Sequence, residues 1–182
     1  MKPIHRETLP GLGDLELRKL DPEKDLDTVY GWVQEPRDQF WGMTGHARYQ
    51  VQEIYEFIDG LDTHHAYLMV LESTPVGIFQ TYEHAADPIG EYYPVRDGDF
   101  GIHLFMAPAR TRIPGFTSAV FESLRRFVFA EPSRQRIVIE PDARNEGALR
   151  RWQRLGFEFG DQVELPHKSA QLAFLSRLPH AA

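Results

Sequence analysis

The order of apolar and polar positions along the chain predicts strands alternating with amphipathic helices. Leu15, Leu17 and Leu20 alternate as in a strand, and Asp21-Pro22 opens a turn into a helix. In that helix Leu26, Val29, Tyr30 and Val33 recur at helical spacing as far as Pro36. Residues 37–43 read as a loop bearing the adjacent aromatics Phe40 and Trp41. A second helix is expected from Val51 to Gly60, with Ile54, Phe57, Ile58 and Leu61 on its apolar face. Ala66–Leu71 and Pro75–Tyr82 read as a β-hairpin, and residues 84–99 as a long connection rich in Gly, Pro and Asp. After a strand at Phe100–Met106, a helix opening at Thr117 buries Val120, Phe121, Leu124, Phe127 and Val128 and ends at Pro132. Arg136–Glu140 is an apolar-centred strand. The helix after it buries Leu149, Trp152 and Leu155 and stops at Gly156. Val163–Leu165 and Ala170–Leu175 close the series as an antiparallel pair. The succession β-α-α-β-β-β-α-β-α-β-β predicts an α+β fold, a mixed sheet flanked by helices. Residues 1–13, with two prolines and two glycines, read as a loosely attached arm, and 14–178 as one domain.

Composition narrows the chemistry. At 182 residues, 42% apolar and 26% charged, the chain suits one globular domain with a sizeable core. A net charge of −7 argues against nucleic acid or an anionic membrane as partner. The chain has no cysteine, which removes disulfides, a thiol nucleophile and thiolate metal sites, and fits a cytoplasmic location. No stretch approaches membrane-spanning length, and the amino terminus lacks a signal-peptide apolar core. His64-His65 lacks supporting ligand spacing, so no metal is expected.

The chemistry-bearing stretch runs from Phe100 to Phe157. A glycine turn, Arg112-Ile-Pro-Gly115-Phe116-Thr117, opens the first helix after a strand. There backbone N–H groups, the helix dipole, Arg110 and Arg112 suit a phosphate-bearing cofactor. Two potential acid/base groups, His103 and Asp142, flank that helix in sequence. Read from the residues alone, the favoured reading makes His103 a satisfied core histidine and Asp142 an N-cap for the helix at Asn145.

The run Asn145-x-x-Ala148 to Gly156-Phe157, following an apolar strand and the Arg/Gly turn, resembles the acetyl-CoA-binding half of the GNAT N-acyltransferases. Four further stretches resemble the siderophore-biosynthesis branch of that superfamily, which acylates N-hydroxylated diamines and diamino acids to hydroxamates. They are Trp32 to Trp41 through Pro36-Arg37, Ile89-Gly90-x-Tyr92-Tyr93, Gly101-Ile-His103-Leu104, and Glu140-Pro-Asp142-x-Arg144-Asn145. The resemblance implies a sheet whose central strands splay to admit the pantetheine arm of acyl-CoA, acetyl or succinyl. It implies direct attack of the acceptor nitrogen on the thioester, with no covalent enzyme intermediate. In this reading His103 accepts a proton or orients the N–OH group, and Asp142 orients His103 or bonds the N–OH. A main-chain N–H near Leu104 or Phe105 receives the oxyanion. Leu104, Phe105, Met106, Arg110, Arg112, Gly115, Phe116, Thr117, Asn145, Ala148 and Trp152 are then the cofactor-binding set. Trp32, Arg37, Phe40, Trp41, Glu83, Tyr92 and Tyr93 are the acceptor-binding set. The chain departs from the family at Thr117, where a second Gly or Ala is usual, and at Trp152, where many members place a tyrosine. A small-molecule N-hydroxyamine and acyl-CoA are the expected partners, with the protein a monomer or homodimer. The alternatives are acetylation of an ordinary primary amine, such as an aminoglycoside or a protein N-terminus, and a non-catalytic acyl-CoA-binding module.

Overall fold

The computed structural model describes residues 2–108 and 113–177, except for the side chains of residues 37 and 38. The chain divides into two compact units, Met1–Thr81 with Leu104–Leu124, and Tyr82–His103 with Arg125–Ala182.

In the first unit, β1 (His5–Leu9), β2 (Gly13–Lys19), β3 (His64–Leu71) and β4 (Thr74–Tyr82) follow one another across the sheet. The pairs β1–β2 and β2–β3 are antiparallel, with Leu15 opposite Leu71 and Leu17 opposite Met69. The expected loose arm is thus largely a strand. His5–Leu9 carries almost no apolar alternation, and it is held by backbone pairing and by a tight turn in which Gly11 and Gly13 take positive φ. Helices α1 (Leu26–Val33) and α2 (Arg48–Asp59) cover a core of Leu20, Leu26, Val29, Val33, Val51, Tyr55, Leu68 and Phe105. Helix α2 starts three residues earlier than its apolar stripe indicates, because the Gln50 side chain accepts the Ala47 N–H at 2.7 Å. Its buried face is Val51 and Tyr55 flanked by Ile54 and Ile58. Phe57, expected inside, is 69% exposed, since it lies two residues beyond Tyr55, about 200° round the helix. Residues Pro36–Trp41 form a short 3₁₀ turn closed by Gly42 in the left-handed region, where a plain loop was expected.

The second unit holds most of β5 (Asp99–Met106), with β6 (Arg136–Ile139), β7 (Glu158–Leu165), β8 (Lys168–Ser176) and helix α4 (Glu146–Arg154). Helix α3 (Phe116–Phe129) runs from the first unit into the second. The strand order is β1-β2-β3-β4-β5-β6-β8-β7, with β5–β6 parallel and β6–β8 and β7–β8 antiparallel. This is the mixed sheet that the hydrophobic pattern predicts. Strand β7 begins five residues before the expected Val163, directly after Gly156 ends α4 at φ 92°. As an edge strand it is exposed and mostly polar, so periodicity does not reveal it.

The parallel ladder between β5 and β6 is short. It pairs only Asp99 with Arg136, Phe100 with Ile137 and Gly101 with Val138, although β5 continues to Met106. Beyond Val138, β6 keeps its antiparallel partner β8, with Ile139 opposite Ala173. The splay between central strands therefore opens one residue past Gly101.

Candidate active site

His103 and Glu140 each lie two residues beyond the last ladder pair, Gly101 and Val138. The two-residue period puts both side chains on one face, opposite one another at the mouth of the splay. Their side chains meet, Nε2 of His103 lying 2.5 Å from Oε1 of Glu140. The imidazole is 39% exposed and the carboxylate only 6%, so a buried carboxylate backs a solvent-facing ring. That is the arrangement in which a carboxylate fixes an imidazole's orientation and tautomer.

Two more groups complete the cluster. The Tyr82 hydroxyl donates to the other oxygen of Glu140, Oε2, at 2.5 Å, and Lys168 Nζ lies 3.7 Å from Oε1. The Tyr82 ring reaches across β5 because position 101 has no side chain; a Cβ on Gly101 would fall on that ring. On Tyr82's other side sits His84, buried, its ring 5.0 Å from Tyr82 and edge-on to Tyr93 at 5.4 Å. Burial holds the His84 pKa below the usual histidine range. For Glu140, burial opposes ionisation, but the charge and hydrogen bond of His103, the charge of Lys168 and the Tyr82 hydroxyl together bring its pKa down from 4.5 to about 2. Burial, and then the charge and hydrogen bond of Glu140, push Tyr82 well above the ordinary phenol range, so it remains a donor.

A carboxylate whose folded pKa lies below its unfolded one stabilises the fold fully above the unfolded value. Below it the unfolded chain takes up a proton that the native one refuses. The Glu140 contribution should therefore fall away as pH drops from about 4.5 toward about 2. Urea unfolding of the wild type and of Glu140→Gln across that window should show the steeper loss in the wild type. Parallel slopes would contradict it.

Asp142 does not orient His103. Its carboxylate is taken by the Arg144 guanidinium at 2.8 and 3.0 Å and by the Arg144 N–H at 2.8 Å, which hold its pKa below the ordinary carboxylate range. Strand β6 ends at Ile139, two residues before Pro141, and Asp142 makes an isolated bridge to Ala170. The carboxylate that meets His103 is thus that of Glu140, two residues upstream of Asp142. Sequence reading places Glu140 at a strand end and at the head of the Glu140–Asn145 stretch but gives it no role, and it gives none to Tyr82 and Lys168. A charged residue closing an apolar strand, in step with His103, was the available signal for Glu140.

Of the other expected residues, Asn145 caps α4, its Oδ1 accepting the Ala148 N–H at 3.1 Å, and Trp152 is buried against Phe157, ring centroids 5.1 Å apart. Gly115 takes φ 78° in the turn that opens α3, and Phe116 and Thr117 begin its first turn. A Cβ at 115 would meet nothing within 4 Å, so the backbone conformation, not lack of space, calls for glycine there. Arg110 and Arg112 lie outside the described residues, as does the Arg37 side chain. Leu104 and Met106 are half-buried and Phe105 buried on β5. Trp32 and Trp41 both pack on Phe105, with ring centroids 6.0 and 5.2 Å apart, and Trp41 Nε1 donates to Tyr55 at 3.3 Å. Phe40, Glu83 and Tyr92 are exposed. Tyr93 donates to Asp99 at 3.0 Å and so fastens the long connection to the start of β5. Among the described residues no group of three His, Cys, Asp or Glu is placed to hold a metal ion, and no helix is long and apolar enough to cross a membrane.

Comparison with known proteins agrees with this architecture. The chain is 25% identical over 167 residues to N(6)-hydroxylysine O-acetyltransferase of Escherichia coli, a match covering 90% of the chain and 52% of the relative. It is 26% identical over 174 residues to the lysine N-acyltransferase MbtK of Mycobacterium sp. (strain MCS), covering 94% of the chain and 71% of that protein. The chain therefore spans about half the length of the first relative. Among solved structures it is similar to AAC(6')-Ib in complex with paromomycin and acetyl-CoA. There the TM-score is 0.78 at 25% identity, over 90% of this chain and 93% of the other. Residues 21–165, which include β3 through β7 and the His103–Glu140 pair, match the acetyltransferase (GNAT) domain as a family, so the chain belongs to the GNAT acetyltransferases.

Proposed function

We propose that this chain transfers an acyl group from acyl-CoA, acetyl or succinyl, to the hydroxylamine nitrogen of an N-hydroxylated diamine or diamino acid, giving a hydroxamate of the siderophore type. The observation that carries the reading is the buried carboxylate behind an exposed imidazole, at the point where β5 and β6 part. The fold suits the cosubstrate: past Gly101 the β5 backbone has no ladder partner on β6, and Gly115 opens the first turn of α3. The main chain at Leu104–Met106 would hold the pantetheine amides, and the N–H groups around Phe116 and Thr117 the pyrophosphate. Acyl-CoA supplies the acyl group already activated as a thioester.

His103 takes the proton that the acceptor nitrogen loses as the new N–C bond forms and the C–S bond breaks. With Nε2–H donated to Glu140, the proton is received at Nδ1. A main-chain N–H near Leu104 or Phe105 faces the charge developing on the carbonyl oxygen. The proton gained by His103 balances the one the departing thiolate requires. An alkylhydroxylamine is less basic than an alkylamine and largely uncharged near neutral pH, so the base has light work. Asp142 is assigned to the acceptor's N–OH, exchanging its pairing with Arg144, whose side chain is 75% exposed.

The relative named as an N(6)-hydroxylysine O-acetyltransferase supports a hydroxylated acceptor, and the AAC(6')-Ib complex keeps ordinary amines as the second reading. Thiol release with N-hydroxycadaverine, N6-hydroxylysine and their unhydroxylated parents separates the two. The hydroxylated pair should be preferred, and Asp142→Asn should raise KM for them while leaving KM for the parents unchanged. Preference for the parents overturns the assignment.

A further inference from the structure

A carboxylate kept ionised beside an imidazole poses a difficulty for base catalysis. In general a lone carboxylate against an imidazole favours the protonated ring, and an imidazolium accepts no proton. The cluster contains a counterweight. We propose that Tyr82 is a positioning and tuning residue. Its hydroxyl occupies one oxygen of Glu140, turns the other toward His103, and moderates the carboxylate's pull on the ring proton so that the imidazole works as a base.

The geometry supports this at several points. Tyr82 and His103 take different oxygens of the same carboxylate, at 2.5 Å each, so the hydroxyl fixes the plane of the group as well as its charge. The Tyr82 and His103 rings lie 4.9 Å apart, close enough for one to set the other's place. Tyr82 is itself locked, 3% exposed at the end of β4 and lying in the space left by the missing side chain of Gly101. The charged and titratable groups around the carboxylate and its tyrosine include Tyr82 from β4, His103 from β5, Lys168 from β8 and, behind Tyr82, His84 with Asp87 and Tyr93 of the connection that follows. Both ring nitrogens of His84 are buried without a hydrogen-bond partner, so His84 does not take the Tyr82 hydroxyl. Lys168, 3.7 Å away, adds charge but no comparably short contact.

The inference rests on the dyad reading of His103 and is tested separately from substrate identity. The readouts are the titration midpoint of the His103 imidazole by long-range ¹H–¹⁵N correlation, and the acidic limb of kcat/KM for whichever acceptor turns over. In Tyr82→Phe the ring stays and the hydroxyl is lost. The midpoint should move to higher pH by about one unit, the equivalent of one hydrogen bond to a charged group, and kcat at neutral pH should fall about tenfold. Gly101→Ala should give the same shift with the tyrosine present, because its Cβ displaces the ring. A folded Tyr82→Phe protein with an unmoved midpoint overturns the proposal even if N-hydroxyamines are acylated. A shifted midpoint in a protein that acylates no N-hydroxyamine upholds it while the functional assignment fails.

Discussion

Replacing His103 by alanine should lower kcat roughly 10- to 10⁴-fold, the range ascribed to a positioned general base. Hydroxylamine acceptors should sit at the low end, because their nitrogen is already largely uncharged, and the parent amines at the high end. The same variant should stay folded and keep its affinity for CoA, with a lowered melting temperature because buried Glu140 loses its nearest partner. The ring is 39% exposed, and the pyrophosphate is assigned to the turn opening α3. Thiol release, thermal unfolding and calorimetric CoA binding measure the three quantities. Unchanged turnover in a folded protein would move the catalytic centre away from the dyad.

The largest effect on stability is expected at Arg136. Its guanidinium makes two bonds to Asp99, at 2.6 and 2.7 Å, and lies 4.4 Å from the Phe174 ring centroid. Asp99 is 1% exposed and also receives the Tyr93 hydroxyl at 3.0 Å and the Arg96 N–H at 2.9 Å. Burial disfavours its charge, yet these donors keep its pKa below the ordinary range. Arg136→Ala strands that carboxylate without its counter-ion, and breaking a buried pair in this way costs about 3–5 kcal/mol. For a chain of this length the loss corresponds to a fall in Tm of roughly 6–20 °C. Arg136→Lys should recover part of it, since charge is restored but the two-pronged geometry is not. A loss under about 1 kcal/mol in urea unfolding would show that solvent already shields Asp99.

The contrast between Val29 and Phe57 shows what the sequence could reveal of the fold. Leu26, Val29 and Val33 repeat at helical spacing and are all buried, and the apolar runs at 66–71 and 136–139 are strands. Phe57 belongs to a helix with more apolar residues than its buried stripe can hold, so periodicity alone cannot say which one faces water. Strands β1 and β7 escaped because their pairing is carried by backbone groups, which leave no mark on side-chain polarity. His103 was legible through its motif. Its partner was not, because the choice between Glu140 and Asp142 depends on where the β5–β6 ladder stops, which is a property of register. The part played by Tyr82 depends on an atom that position 101 lacks, which no reading of side-chain chemistry along the chain brings out.

Positions 82 and 101 occupy a single shared volume, so they form one heritable unit despite lying nineteen residues apart in the chain. Adding a single carbon at 101 would reset the electrical environment of a carboxylate on the neighbouring strand without altering any ionisable group.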